Sequence, residues 1–441
     1  MSSSAVSAES ETGAVSPEIE KGAVSPGSAR RAGGGLVPGR MPLWLILLLG
    51  SLSAVGPLST DMYLPAFRAI DATLGGGPGS AQITLAAWFA GLALGQFTQG
   101  PLSDRSGRRT PLLIGMSIYT LGSIGCALSH GFWGFCAWRF LAALGGSSGM
   151  VIPRAIVRDV ATGPQGARIM SQLMLVLGVV PILAPTLGGL VLSVASWRWI
   201  FWVATIYGVL ALAAVAWTLP DTLPRERRVR LPPVEVLQRY VTILSERSFL
   251  SNTCVVGFST FVIFAYLSGS PIAFERVLHF SPTQFGILFG VNAFFYILCT
   301  QINAALVHRV GVERLLRFGI TLLACAASLF LLLVLTGVAG QGRPALYVCI
   351  PIILLMASMG FIGPNATVFA LASHARHAGS ASALLGTLQF GLGSISGTAM
   401  GLLSITSLVP MASIIVIGVL GILLANAARP KRQPAETAAA T

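Results

Sequence analysis

Two ionisable residues stand inside long apolar runs: Asp61 in Ser59-Thr60-Asp61-Met62-Tyr63-Leu64-Pro65, and Arg139 in Trp138-Arg139-Phe140. Charge at membrane depth is costly, so such residues mark ion or substrate pathways by default. A carboxyl in an apolar setting can exchange a proton with water or a substrate, and a nearby guanidinium biases that exchange. Asp61 lies about six residues from the outer end of its run and Arg139 about seven, which at 1.5 Å per residue puts both roughly 10 Å below one boundary. The matched depths predict that the two share a cavity or pair directly. The plainer readings are a helix-end acid at headgroup level and an arginine that ties helices together.

Uncharged polar residues recur in the same runs, among them Gln96, Gln99, Gln172, Ser268, Ser270, Asn292, Gln301, Asn365 and Gln389. Aromatic residues accompany them. A mostly apolar, aromatic cavity with a few polar groups suits lipophilic organic molecules. Tyr63, Tyr266, Asn292, Tyr296, Asn365 and Gln389 are the expected lining, although any one of them alone is as well explained as interhelical glue. No GxxxxGK[ST], HExxH or GxSxG pattern occurs, and the five histidines lie at or near loops. No enzyme activity, metal or cofactor is therefore expected, and the energy must come from an ion gradient or the substrate's own gradient.

These residues need elements to hold them. Of 441 residues, 54% are hydrophobic and only 10% charged, against roughly 25% charged in a soluble domain. Mean hydropathy is +0.78. A soluble globule and a disordered chain are both excluded. Spans of about 20 apolar residues fall near 42–66, 80–102, 111–130, 132–153, 169–193, 198–219, 249–271, 283–306, 314–337, 344–371, 379–405 and 408–428. The expected organisation is a disordered tail over 1–40, six spans over 41–219, a linker over 220–248, six spans over 249–428 and a tail over 429–441. In the linker, Leu237, Tyr240, Val241 and Leu244 share a helical face, which suggests a short helix on the membrane surface or else an ordinary solvated connection.

The 28 basic residues sort by side: all but Arg68, Arg139, Arg198, Arg276 and Arg343 fall in the tails, the linker or the connections on one face. The positive-inside rule then places both termini in the cytoplasm. That asymmetry accounts for the net charge of +13 without nucleic acid. Arg105-Ser-Gly107 after span 2 is echoed by Arg309-Val-Gly311 after span 8, which suggests two pseudo-symmetric halves around a central site. Pro57 and Pro65 should kink span 1. Span 5 gathers Gly178, Pro181, Ala184, Pro185, Gly188 and Gly189, which permits a kink and close helix approach.

Gly100-Pro101-Leu102-Ser103-Asp104-Arg105-Ser106-Gly107-Arg108-Arg109 resembles motif A of the major facilitator superfamily. Arg139 to Gly145 resembles its motif B. The span 5 cluster resembles motif C of the drug:proton antiporter branch, with Ala184 where glycine is usual. Thr60 to Ala66, Leu223 to Arg228, Ser268 to Pro271 and Gly363 to Ala366 are similar to the Bcr/CflA group of bicyclomycin and chloramphenicol exporters of the bacterial inner membrane. The resemblance runs from about 41 to 428. It implies an all-α membrane fold of twelve helices in two six-helix bundles. It also implies a proton and substrate site at Asp61 and proton coupling at Arg139. A cytoplasmic latch would form at Gly100, Asp104, Arg105, Gly107 and Arg108, with Asp104 at the start of span 11. Ser53 stands where some relatives carry a second acid. The expectation is a monomeric inner-membrane antiporter that exchanges protons for lipophilic drugs. The alternative is a dedicated exporter of a metabolite or amino-acid derivative.

Overall fold

The computed structural model describes residues 42–77, 79–160, 163–228, 232–339, 342–372, 374, 378–403 and 407–430. The expected N-terminal tail and nearly all of the C-terminal one lie outside them. The described residues are helical throughout, with no strand. Three short helices make the first span: α1 (Leu43–Ser53), α2 (Val55–Asp61) and α3 (Phe67–Thr73), with a 3-10 turn at Leu64–Ala66. The remaining helices before the linker are α4 (Ser80–Ser106), α5 (Arg109–Leu128), α6 (Phe132–Val160), α7 (Gly163–Val194) and α8 (Arg198–Thr218). The linker carries α9 (Pro233–Ser245). After it come α10 (Arg247–Ile272), α11 (Pro282–Val310), α12 (Val312–Leu335), α13 (Leu346–Leu371), α14 (Ala378–Leu402) and α15 (Val409–Ala427).

Span 1 is bent by 42° at Ala54. The cause is three residues on: Pro57 has no N–H to give the carbonyl of Ser53, so the helical ladder breaks there. Pro65 does the same to the carbonyl of Asp61, and α2 ends on that residue. The expected kink from Pro57 is therefore present, whereas at Pro65 the helix is interrupted by a 3-10 turn, which leaves Asp61 at a helix terminus.

Among the described residues, eight helices are long and apolar enough to cross a membrane, or nine with the bent first span. α4 and α14, with 27 and 25 residues, are long enough but less apolar. Their polar side chains do not need lipid, because the two helices pack on each other along their whole length. Near one end the backbones of Gly79 and Gly401 meet; near the other Gly100 faces Ala383 and Gly379. Between them Ser394 Oγ donates to the Ala86 carbonyl at 2.9 Å and Thr387 Oγ1 to the Ala93 carbonyl at 3.2 Å.

The helices before the linker pack mainly on one another, α4 and α5 on α6, α5 on α8, and span 1 on α7. Those after it do likewise, α10 on α13, α14 and α15, and α12 on α13. The two sets meet through α4–α14, α7–α11, and α10 against the turn at Leu64–Ala66. Glycines make the tight seams. A β-carbon at Gly145 would strike the Gly115 carbonyl of α5, and one at Gly91 the Phe140 carbonyl of α6.

Candidate functional site

Asp61 is buried, 5% exposed, at the C-terminal end of α2. Among the described residues its side chain has one hydrogen bond, from its neighbour Thr60 Oγ1 at 3.2 Å. Thr60 itself is anchored to the carbonyls of Gly56 and Pro57 at 3.0 and 3.1 Å. Arg139 is buried on α6, 1% exposed. Its Nη1 donates to the Ser59 carbonyl at 3.2 Å. Its guanidinium stacks over Tyr63, Trp88 and Phe201, at 4.4, 4.7 and 5.7 Å from the ring centroids.

Asp61 and Arg139 therefore meet the same two turns of span 1 but do not pair. Among the described residues no ion pair involves either of them. Two residues along a helix turn a side chain by about 200°. Ser59 and Met62 face Arg139, with Leu58 beside them, and line a small cavity with it; Asp61 is not part of that lining. Arg139 thus sits at the level of Ser59, two residues from Asp61, but the expected direct pairing is not formed and Asp61 is not on the lining of the cavity beside Arg139.

α7 reaches span 1 at this level. A β-carbon at Gly188 would collide with the backbone carbonyl of Met62, one residue beyond Asp61. Ala184 and Pro185 are buried, while Gly189 has open space. The surroundings of Gly178 and Pro181 lie outside the described residues. The span 5 cluster thus holds α7 close to the broken end of α2.

The expected cavity residues separate. Tyr63 is fully buried within the first set of helices, its hydroxyl on Thr84 Oγ1 and its ring under Arg139. Asn365 is a tie between α13 and α11: its Nδ2 donates to Asn303 Oδ1 at 2.6 Å and to the Phe361 carbonyl at 2.8 Å. Tyr266 and Asn292 form a buried pair, with Asn292 Nδ2 donating to the Tyr266 hydroxyl at 2.7 Å, and Asn292 Oδ1 has no partner. Gln389 is half-buried on α14. Tyr296 is 39% exposed on α11. A feature absent from the sequence reading joins the two sets: Phe89 of α4 stacks on Phe264 of α10 at 3.6 Å, and Phe390 of α14 stacks alongside both.

At the Gly100–Arg109 connection, Arg108 is almost wholly buried and holds three groups. Its Nη1 donates to Asp104 Oδ1 at 2.5 Å and to Ser103 Oγ at 2.9 Å, and its Nε to Asp159 Oδ2 at 2.7 Å. Asp104 Oδ2 also lies beside Gly379, at the start of α14. Gly107 adopts φ +93°, which ends α4, and a side chain there would run into Asp221 and Arg228. Arg105 is exposed. Sequence reasoning missed Asp221, which accepts the backbone N–H of Arg108 at 2.9 Å and pairs with Arg228 at 2.6 Å. The linker thereby docks on this connection.

The linker helix is present as α9. Tyr240 faces inward, its hydroxyl donating to the Phe97 carbonyl of α4 at 3.0 Å, while Leu237 and Val241 are exposed. The helix is fixed to α4 through Tyr240 and leaves Leu237 and Val241 uncovered.

Two sets of apolar helices meeting at a seam, with a buried acid beside it, define a membrane transporter fold. The chain belongs to the Major Facilitator Superfamily, whose model matches residues 49–398. It is 37% identical over 378 residues to the uncharacterized MFS-type transporter YdgK of Bacillus subtilis, covering 85% of this chain and 92% of that one. It is 28% identical to the bicyclomycin resistance protein homolog of Haemophilus influenzae, over 83% of this chain and 91% of that one. These relatives agree with the Bcr/CflA-like reading of the motifs. A solved D-xylose-proton symporter aligns with a TM-score of 0.67 at 16% identity, covering 88% of this chain and 98% of that one. At that identity the likeness concerns the fold, and the protein is a multi-pass membrane transporter of the superfamily.

Proposed function

We propose that the protein is a proton-coupled antiporter that exports lipophilic drugs of the chloramphenicol or bicyclomycin kind from the bacterial cytoplasm. It would act as a monomer in the inner membrane with both termini cytoplasmic. The observation that carries this reading is Asp61: a buried carboxyl without an ion-pair partner among the described residues, at a helix end just before the Leu64–Ala66 turn that meets α10 of the second set. Such a carboxyl can carry a proton in one state and release it to water or be displaced by substrate in another. Rocking of one set against the other about α4–α14 and α7–α11 would expose it alternately to each side. The similarity to a bicyclomycin resistance homolog and the span 5 cluster support export over uptake.

Asp61→Asn tests this reading. The amide keeps size and hydrogen bonding but cannot titrate. Uptake of chloramphenicol into inverted vesicles under an imposed pH gradient, acid inside, should fall to background, with unchanged protein in the membrane. Wild-type export by the variant against a gradient would remove Asp61 as the proton site.

A further inference from the structure

The cavity beside Arg139 is bordered by Ser59, Trp88, Ser123, Cys126 and Phe201. Its unpartnered polar atoms have one character. The buried atoms without a partner on these residues are Arg139 Nε, Arg139 Nη2 and Trp88 Nε1, all N–H donors. The two hydroxyls on the lining bond to Tyr119 instead, Ser59 Oγ with its hydroxyl at 2.9 Å and Ser123 Oγ to its carbonyl at 2.8 Å, and neither accepts from these donors. Arg139 and Trp88 are each 1% exposed. The guanidinium therefore brings a whole positive charge into an aromatic cage, with no carboxylate among the described residues in ion-pair reach. Buried donors and buried charge both demand partners. Stacking on Tyr63, Trp88 and Phe201 offsets part of that demand from the ring faces, but leaves the in-plane N–H groups unmet.

We propose that this cavity is a binding site for a monovalent anion of halide size, chloride being the abundant choice. The donor set selects an acceptor, the guanidinium selects negative charge, and the room available, about one water-sized particle, excludes a drug or an organic carboxylate. Asp61 is not on the lining, so the anion and the proton site are separate groups flanking the same stretch of span 1. The proposal stands on the geometry of the first set of helices and holds whether or not the protein exports drugs.

The test uses the full chain in lipid nanodiscs, with sodium chloride or bromide exchanged for sodium gluconate at constant ionic strength. The halides should raise the melting temperature by several degrees in a saturable manner, whereas gluconate, too large for the cavity, should not. Crystals grown in bromide should show an anomalous peak beside Arg139 and Trp88. Trp88→Phe keeps the ring and removes one donor, and should weaken the halide response several-fold. Arg139→Ala should abolish it; if that variant fails to fold, Trp88→Phe carries the comparison. Equal melting in chloride and gluconate, with no bromide peak, would mean that water alone meets these donors and would overturn the proposal. So would a halide response left intact in both variants, as would one seen only in Asp61→Asn, since the Asp61 carboxylate would then be the native partner.

Discussion

A polar residue in an apolar run is visible in sequence, but its partner is not. Asp61 and Arg139 stood out because charge in a span is rare, and their depth followed from the helical rise. Their azimuth did not, because span 1 breaks at Ala54 and again after Asp61, and each break resets the face that later residues present. Asn365 shows the same limit: residue type cannot separate a ligand contact from a tie. The structure makes it a tie, so Asn365→Ala should leave the amide oxygen of Asn303 buried without its partner and cost about 1–3 kcal/mol. Thermal unfolding in detergent should show that loss while the pattern of exported compounds stays the same. A changed substrate pattern at unchanged stability would return Asn365 to the cavity. Arg139→Lys should keep the charge but lose the planar stacking on Tyr63 and Trp88. Normal expression with pH-driven export reduced about tenfold or more is expected, since an ammonium cannot lie flat on the rings while donating to the Ser59 carbonyl. Full export would assign Arg139 to structure alone.

At the scale of elements, the helices themselves were legible from apolar length and their breaks from proline. Contacts between distant segments were not. The linker's Asp221 meets Arg108 across more than a hundred residues, and nothing in the local sequence of either announces it. The stripe on α9 was legible, but not that Tyr240 within it turns to α4, its hydroxyl reaching the Phe97 carbonyl, while Leu237 and Val241 stay uncovered. Glycine clusters were recognisable as close-approach sites, but which glycine approaches what needed coordinates. Gly188 and Gly189 now separate. Gly188→Val would drive a side chain into the Met62 carbonyl and push α7 off span 1, at a cost of about 1–3 kcal/mol. It should also reduce export, because the displaced backbone adjoins Asp61. Gly189→Ala meets open space and should be tolerated. The same assay applied to both is the check; equal loss, or equal tolerance, would mean that the α7–span 1 contact does not govern the site.

For the whole molecule, alternating access requires contacts that form in one state and part in another. Two candidates lie at opposite ends of the seam. On one side Arg68 of α3 reaches Glu275, just beyond α10, at 3.8 Å. On the other, Asp104 lies between Arg108 and the start of α14 at Gly379. The second contact joins the two sets at the expected cytoplasmic side, where exposed N–H groups at a helix start favour an anion. Arg108 also binds Asp159 and Ser103, so the arginine stays anchored in its own set when Asp104 changes. Asp104→Asn should therefore weaken the link to α14 without dismantling the connection, and shift the population towards the inward-facing state. Tyr63 is fully buried beneath Arg139 and is a poor reporter of that shift. Ala72 on α3 and Arg276 near Glu275 are exposed and lie on the expected outer side. Spin labels on cysteines at these two positions, in a background without the six native cysteines, should give a larger short-distance fraction in the Asp104→Asn protein than in the parent. An unchanged distance distribution together with unchanged export would reduce the Gly100–Arg109 connection to an anchor held inside by its arginines, since Arg105, Arg108 and Arg109 all survive the substitution.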